Sequence, residues 1–268
     1  MAVNSHIQIP NCILKNFRSP QSGKVFYLNL DTGHIGACGS ANLGAEFGYY
    51  SDAMEEYLNA EIEAPISRLA AEGISFLAEK KEKLVLPISA EESLKKYITA
   101  AMARSQFALD VFMRKSVTAD FVDMQTNHDD LVLFSTLRGI HSSIQGHKMM
   151  GIINCTTHQF VVPRNCFYTV TRENSKTTWI IAPISPLFAL ALAPAEYTGC
   201  CADGEEGRLF QVNDDKVIHG MNVQALTYEY AFNKSFVASA DRQELVSLKE
   251  HLEENHDLLD SLKNDMLM

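Results

Sequence analysis

The apolar residues of this chain change their spacing near residue 148, and that change calls for both helices and sheet. Before it, Met54, Leu58, Ile62, Ile66 and Leu69 recur every three or four positions, the period that lines one face of a helix. Leu94, Ile98, Ala101, Ala108, Val111 and Phe112 form a second stripe. A helix is expected after Thr118, and another after Asp129, where Leu133, Leu137, Ile140 and Ile144 share a face and Gly146 ends it. After the change, residues 149–153, 159–162, 167–170, 178–181 and 188–192 are short β-prone runs punctuated by Pro, Asn, Gly and Ser. The expected fold class is α+β: an N-terminal hairpin and helices packed on a mostly antiparallel sheet, with an amphipathic C-terminal helix. We expect one domain over residues 1–268, helix-rich over 1–147, strand-rich over 148–220 and helical over 221–268.

Local signals set the boundaries. Pro10 suits the first turn of a short helix, with Leu14 and Phe17 on one face. Residues 24–30 read as a strand, Asp31-Thr32-Gly33 as a turn and 34–38 as the returning strand. Ser51 caps the next helix, Pro65 kinks it and Gly73 stops it. Ser89 to Glu92 is a capping box opening a helix through about Lys115. Residues 197–207 read as a loop and 222–233 as a helix. Asp241 to Glu244 is another capping box, and the helix after it carries Leu245, Leu248, Leu252, Leu259 and Leu262 at an approximate heptad, with Asn255 in the gap. From residue 241 onward there are eight acidic and three basic residues. Such a helix either packs once against the body or makes a homodimer contact with a second copy.

Composition narrows the function classes. Hydrophobic residues make up 46% and charged residues 21%, ordinary for a globular chain. The net charge of −10, with no basic run longer than a Lys-Lys pair, disfavours nucleic acid as a partner. Six cysteines at irregular spacing, without CxxC, read as reduced thiols. The start Met-Ala-Val-Asn-Ser-His has no basic and apolar leader pattern, and residues 179–194 are too short and too rich in proline to span a membrane. A soluble, cytoplasmic protein without a membrane segment is the expectation. Neither a Walker loop, GxGxxG, GxSxG nor HExxH is present. His141 and His147, or His251 and His256, are too far apart in sequence for helical chelation, so neither a metal nor a cofactor is expected.

Several stretches carry a resemblance. Ile9-Pro10 is followed by Leu14 and Phe17; Gly23-Lys24, Phe26-Tyr27 and Asn29-Leu30 come next, then Gly48-Tyr49-Tyr50, Glu55, Leu58, Ile62-Glu63, Ile66 and Leu69. This pattern resembles domain-of-unknown-function family 4238, whose members open with His-x-x-Pro-x-x-x-Leu-x-x-Phe. The resemblance spans roughly residues 7–250, is strongest over 9–70, and implies one domain without assigning a chemistry.

Four residues stand out as ligand-binding candidates. Arg104 falls on or beside an apolar helical stripe, where a guanidinium must reach water or find a carboxylate. It is either a structural ion-pair or snorkelling residue or an anion-binding arginine. The resemblance adds that the family has an Arg-Thr-Pro-like motif in this helix, of which Arg104-Ser105-Gln106 keeps the Arg. Arg164 and Asn165 stand in Phe160-Val161-Val162-Pro163-Arg164-Asn165-Cys166-Phe167, similar to the family's Phe-Ile-Thr-Ser-Asp-Asn-Pro-Val, a strand ending in a polar turn. Arg164 replaces the family's Asp and Cys166 its Pro, and an arginine can act neither as general base nor as metal ligand. His6 lies one position before the family's His, which aligns with Ile7. Two arginines and an amide suit a non-enzymatic binding or regulatory protein for an anionic small molecule or partner group. The alternatives are a hydrolase-like or nuclease-like enzyme and a structural protein acting through the C-terminal helix. No catalytic residue is named; the readings divide on whether an acid or a histidine converges on Arg164 and Asn165.

Overall fold

The computed structural model describes residues 4–6, 9–47, 52–79, 88–105, 144–171, 178–194 and 209–267. The chain begins with β1 (Asn4–His6) and α1 (Asn11–Leu14), which runs into a 3-10 turn (Lys15–Phe17). Pro10 is the N-cap at φ −65°, and its carbonyl accepts from the amides of Ile13 and Leu14. The hairpin β2 (Val25–Asn29) and β3 (Ile35–Cys38) closes as expected: Asn29 Oδ1 accepts from the amides of Asp31 and Thr32, and Gly33 takes φ +66°. After β4 (Ala45–Phe47) come α2 (Asp52–Tyr57), a π-helical turn (Leu58–Glu63), α3 (Ala64–Ala78) and α4 (Ile88–Ala103). The second half holds β5 (Lys148–Asn154), β6 (Val162–Pro163), β7 (Tyr168–Thr171), β8 (Thr178–Ser185), β9 (Phe188–Ala193), β10 (Leu209–Val212), α5 (Asp215–Phe232), β11 (Phe236–Ser239), α6 (Arg242–Glu254) and α7 (His256–Leu267).

The fold is α+β. Two larger sheets form, one in the order β10-β5-β9-β8-β7 and one in the order β3-β2-β11-β6, besides the pair β1-β4. Among the described residues every pairing is antiparallel except β10 with β5. The inner strands β5, β8, β9 and β11 are largely buried on both faces and read as nearly continuous apolar runs, whereas β3, β7 and β10 are partly exposed. Alternate residues sort into two cores. Phe188, Leu190 and Leu192 face a core shared with α1 to α4, while Ala189 and Ala191 face one shared with α5 to α7. In β11, Phe236 and Ala238 face the first core and Val237 the second. The result is a sheet layer between two helical layers.

Several boundaries differ from expectation. The N-terminal hairpin does not stand apart: β2 pairs with β11 some two hundred residues later, a four-residue strand whose sequence gave no distinct signal. The capping box at Ser89 lies one residue inside α4, which opens at Ile88. Asp241 does cap α6 through the Gln243 amide, but Glu244 turns away from the helix start and accepts from Gln159 instead. The final helix breaks at Asn255, whose backbone (φ −118°, ψ 19°) leaves helical geometry. Leu245, Leu248, Leu252 and Leu259 of its heptad are buried against the body, leaving Leu258 60% exposed. The helix foreseen over 222–233 starts at Asp215, capped by Asp214. The expected helices after Thr118 and Asp129, the continuation of α4 to Lys115, and the loop 197–207 lie outside the described residues. No helix among the described residues is long and apolar enough to cross a membrane; the apolar stretch 179–194 is mostly the β8–β9 hairpin.

Gly73 is not a stop, since α3 continues to Ala78. A Cβ there would overlap the Phe188 ring, and the ring's other edge is held by Gly151, where a Cβ would come within 3.1 Å. Alanine favours a helix over glycine by about 1 kcal/mol, whereas forcing a methyl into a filled core costs roughly 1–3 kcal/mol. We therefore expect Gly73→Ala to destabilise the protein by up to about 2 kcal/mol, read as a thermal midpoint several degrees lower, despite its better helix propensity.

Candidate functional site

Pro65 sets the first wall of the site. It has no amide to give, and its ring excludes the carbonyl four residues back. The helix answers with the π-helical turn Leu58–Glu63 and resumes as α3 with Pro65 in its first turn. Such wide turns recur at functional positions because they re-aim side chains. Here Glu63 becomes half-buried, and burial raises its carboxyl pKa, opposed by the charge of Arg104 and reinforced by Glu55. The Cys12 thiol from α1 points at the Glu63 carbonyl, 4.0 Å away.

The C-terminal end of α4 supplies the second wall. Arg104 is 2% exposed. Its Nε and its amide both donate to Ala100 O, each at 3.1 Å, and Ser105 Oγ donates to Met102 O at 2.8 Å. These donors satisfy carbonyls that a helix end leaves open and place a cation at the negative end of the dipole. Tyr97, seven residues earlier and thus two turns back on the same face, is fully buried.

The turn after β6 is the third wall. Cys166 has φ +60°, a left-handed conformation that costs a cysteine roughly 1–3 kcal/mol. It is held from every side. The Cys166 amide donates to Pro163 O (2.8 Å), the Arg164 amide to Phe236 O (3.0 Å) and the Asn165 amide to Glu229 Oε2 (3.0 Å). Glu229, fully buried on α5, also accepts from Asn233 Nδ2. Burial raises its pKa to about 8, against those two hydrogen bonds and the charge of Arg164.

The three walls converge. Burial pushes the Cys166 thiol up to about 12, while Arg104 and the Tyr97 hydroxyl pull it down and Glu229 and Glu63 push it up. Tyr97 is itself raised well above its usual value, by burial first and then by Cys166 and Cys12, with Arg104 opposing. Cys12 is pushed up to about 12, by burial and then by Glu63. Both thiols therefore stay protonated at neutral pH and are poor nucleophiles. Glu229 is thus largely protonated at neutral pH, and burial disfavours the ionised form of Glu63. Half-buried Cys12, Glu55 and Glu63 form the outer side of the cluster, and buried Tyr97, Arg104 and Cys166 its floor.

Of the residues singled out in the sequence, Arg104 and the Arg164–Cys166 turn come together through Cys166. The Arg164 guanidinium turns elsewhere, donating to Ser235 Oγ at 3.0 Å and lying 3.9 Å from Glu46. Asn165 is buried, and its Oδ1 has no hydrogen-bond partner among the described residues. His6 is the last residue of β1, in register with Ala45 beside Glu46. An acid, Glu229, does converge on Arg164 and Asn165, the outcome set for the enzyme reading, but it is fully buried and both its oxygens are taken up by the Asn165 amide and Asn233 Nδ2. Sequence reasoning missed Tyr97, Cys12 and Glu229, and met Glu63 only as part of the resemblance. The available signals were Tyr97 on the face of Arg104 and a glutamate directly beside the apolar positions Leu226 and Tyr230. Among the described residues, no group of three or more His, Cys, Asp or Glu side chains forms a metal cage. No family model, curated protein or solved structure matches the chain.

Glu229 ties stability to pH. Its folded value of about 8 lies above the ordinary 4.5, so between those values the native state keeps a proton that the unfolded chain releases. Stability contributed there falls as pH rises through that window. We expect the thermal midpoint of the wild type to drop from pH 5 toward about 8, and Glu229→Gln, which cannot ionise, to flatten that slope.

Proposed function

We propose that the protein is a non-enzymatic binding or regulatory protein that receives an anionic group, a phosphate or carboxylate of a small molecule or partner, at Arg104. The observation that carries this reading is a permanently charged, buried guanidinium close enough to Glu63 to act on its carboxyl, whose ionised form burial disfavours. An incoming anion that keeps its charge more readily than Glu63 would replace it beside Arg104, and the half-buried position of Glu63 on the outer side of the cluster fits that exchange. Glu63, Arg104 and Asn165, which carry part of the resemblance to domain-of-unknown-function family 4238, are also residues of this neighbourhood. Free cysteines at Cys12, Cys38, Cys155 and Cys166 fit a reducing, cytoplasmic setting. If two copies associate through α7, Leu258 is an apolar residue exposed for that contact.

A hydrolase-like enzyme is the second reading, favoured by the same raised carboxyl: Glu63 beside Arg104 has the character of a general acid with an anion stabiliser. A thermal-shift titration with inorganic phosphate, citrate and nucleoside phosphates separates the two. At one hundred times its Kd a ligand adds about 2.7 kcal/mol to the native state. The binding reading expects a shift in wild type, its loss in Arg104→Lys, which keeps the charge but not the fork, and its retention or increase in Glu63→Gln. No shift with any anion, or one unchanged in Arg104→Lys, overturns it. Hydrolysis of bis(p-nitrophenyl) phosphate by wild type that disappears in Glu63→Gln would establish the enzyme instead.

A further inference from the structure

A second polar cluster lies against α5 and α6, involving neither Arg104 nor Glu63. The segment between β5 and β6 is tied down along its length. Thr157 donates through its amide and hydroxyl to Asp215 Oδ1, both at 3.0 Å; the Gln159 amide donates to Glu244 Oε1 at 3.0 Å; the Val161 amide donates to Asn222 Oδ1 at 3.1 Å. Asn222 Nδ2 returns a bond to Gln159 O at 2.7 Å, and Asn154 Nδ2 binds His158 O. This segment presents His158. Its Nδ1 lies 2.9 Å from Glu244 Oε1, and the carboxylate is 6% exposed whereas the imidazole is 36% exposed. With Glu244 accepting from Nδ1–H, the ring's other nitrogen, Nε2, is turned away from Glu244 and can offer its lone pair to a ligand. His219, one turn after Asp215 on α5, places its ring centroid 5.9 Å from that of His158, with the planes at 49°.

We propose that His158 and His219 form an open site for a borderline divalent cation, Zn2+, Cu2+ or Ni2+, with Glu244 orienting His158 behind it. Metal–nitrogen bonds of about 2.1 Å put the centroids of two imidazoles on one ion roughly 5–6 Å apart, a range that includes the observed 5.9 Å. A carboxylate holding the far nitrogen of a histidine is the usual support for a ligating imidazole, because it fixes the tautomer and raises the ring's basicity. Two protein ligands leave the remaining positions to water or to a ligand atom from a partner. Binding strength should follow the general order for nitrogen ligands, with Cu2+ tightest. The sequence hid this site because the two histidines stand sixty-one residues apart.

Calorimetric titration of the full chain with each ion, joined to paramagnetic broadening of histidine signals by Cu2+, tests the proposal. The expected result is one ion per chain, with the His158 and His219 rings broadening together at substoichiometric Cu2+. His219→Gln, at a half-buried position, and His158→Ala should each weaken binding at least about tenfold, and Glu244→Gln roughly 10–100-fold. His256→Ala, on α7, should leave it unchanged. Circular dichroism melting of each variant verifies that a loss is not unfolding; His219→Gln serves if His158→Ala is unstable. Absence of binding by all three ions, or binding that survives His219→Gln unaltered, overturns the site.

Discussion

The seating of the Phe188 ring between Gly73 of α3 and Gly151 of β5 fixes how the first helical layer sits on the sheet. The ring fills space that a single methyl on either glycine would invade, so helix and strand each close directly onto the ring. Everything on that side follows. With α3 pinned, the π-helical turn before it and α4 beside it have a defined depth, and Glu63 and Tyr97 arrive at their places in the cluster. The small residues of β9 serve the opposite layer in the same way: Ala189 and Ala191 leave room for the second core while Leu190 and Leu192 fill the first.

Burial of Arg104 would be expensive on its own, and the surrounding groups show how that cost is met. Its Nε and amide satisfy a helix end, Glu63 supplies opposing charge, and protonated thiols and phenols fill the space without adding more. The left-handed Cys166 belongs to the same arrangement, because the anchors on Arg164 and Asn165 hold the strained turn in place. Those two residues, read in the sequence as ligand contacts, also act as anchors. Arg164 ties to β4 and to the segment before β11, and the Asn165 amide ties to α5.

What the sequence revealed and what it hid divide along physical lines. The α+β class, the first hairpin, α1 and the stripe of α2 and α3 were legible because each rests on contacts within some twenty residues. The run 178–192 was legible as strands for the same reason. β11 was not: four apolar residues acquire their meaning only from β2 and β6 on either side. Gly73 was misread because local propensity says stop, while the decisive neighbour, Phe188, lies more than a hundred residues away. Arg104 was visible as an anomaly in a stripe, but Tyr97, Cys12 and Glu229 are unremarkable letters until three elements meet. Glu244 is the sharpest case: its place in a capping box was a sound local inference, overridden by the long-range bonds to His158 and Gln159.

The π-helical turn carries a consequence for how this protein can change. A wide turn holds one more residue than ordinary winding would, so the segments on its two sides are out of phase by about one residue's rotation, roughly 100°. A substitution within Leu58–Glu63 does not change the number of residues the turn holds. Loss of a single codon there would erase it, rewinding the helix and swinging Met54 and Glu55 off their present faces while α3 stays put. Point mutation can therefore tune the acidic rim of the cluster, but an indel of one residue would disengage it, making residue number in this stretch more constrained than residue identity.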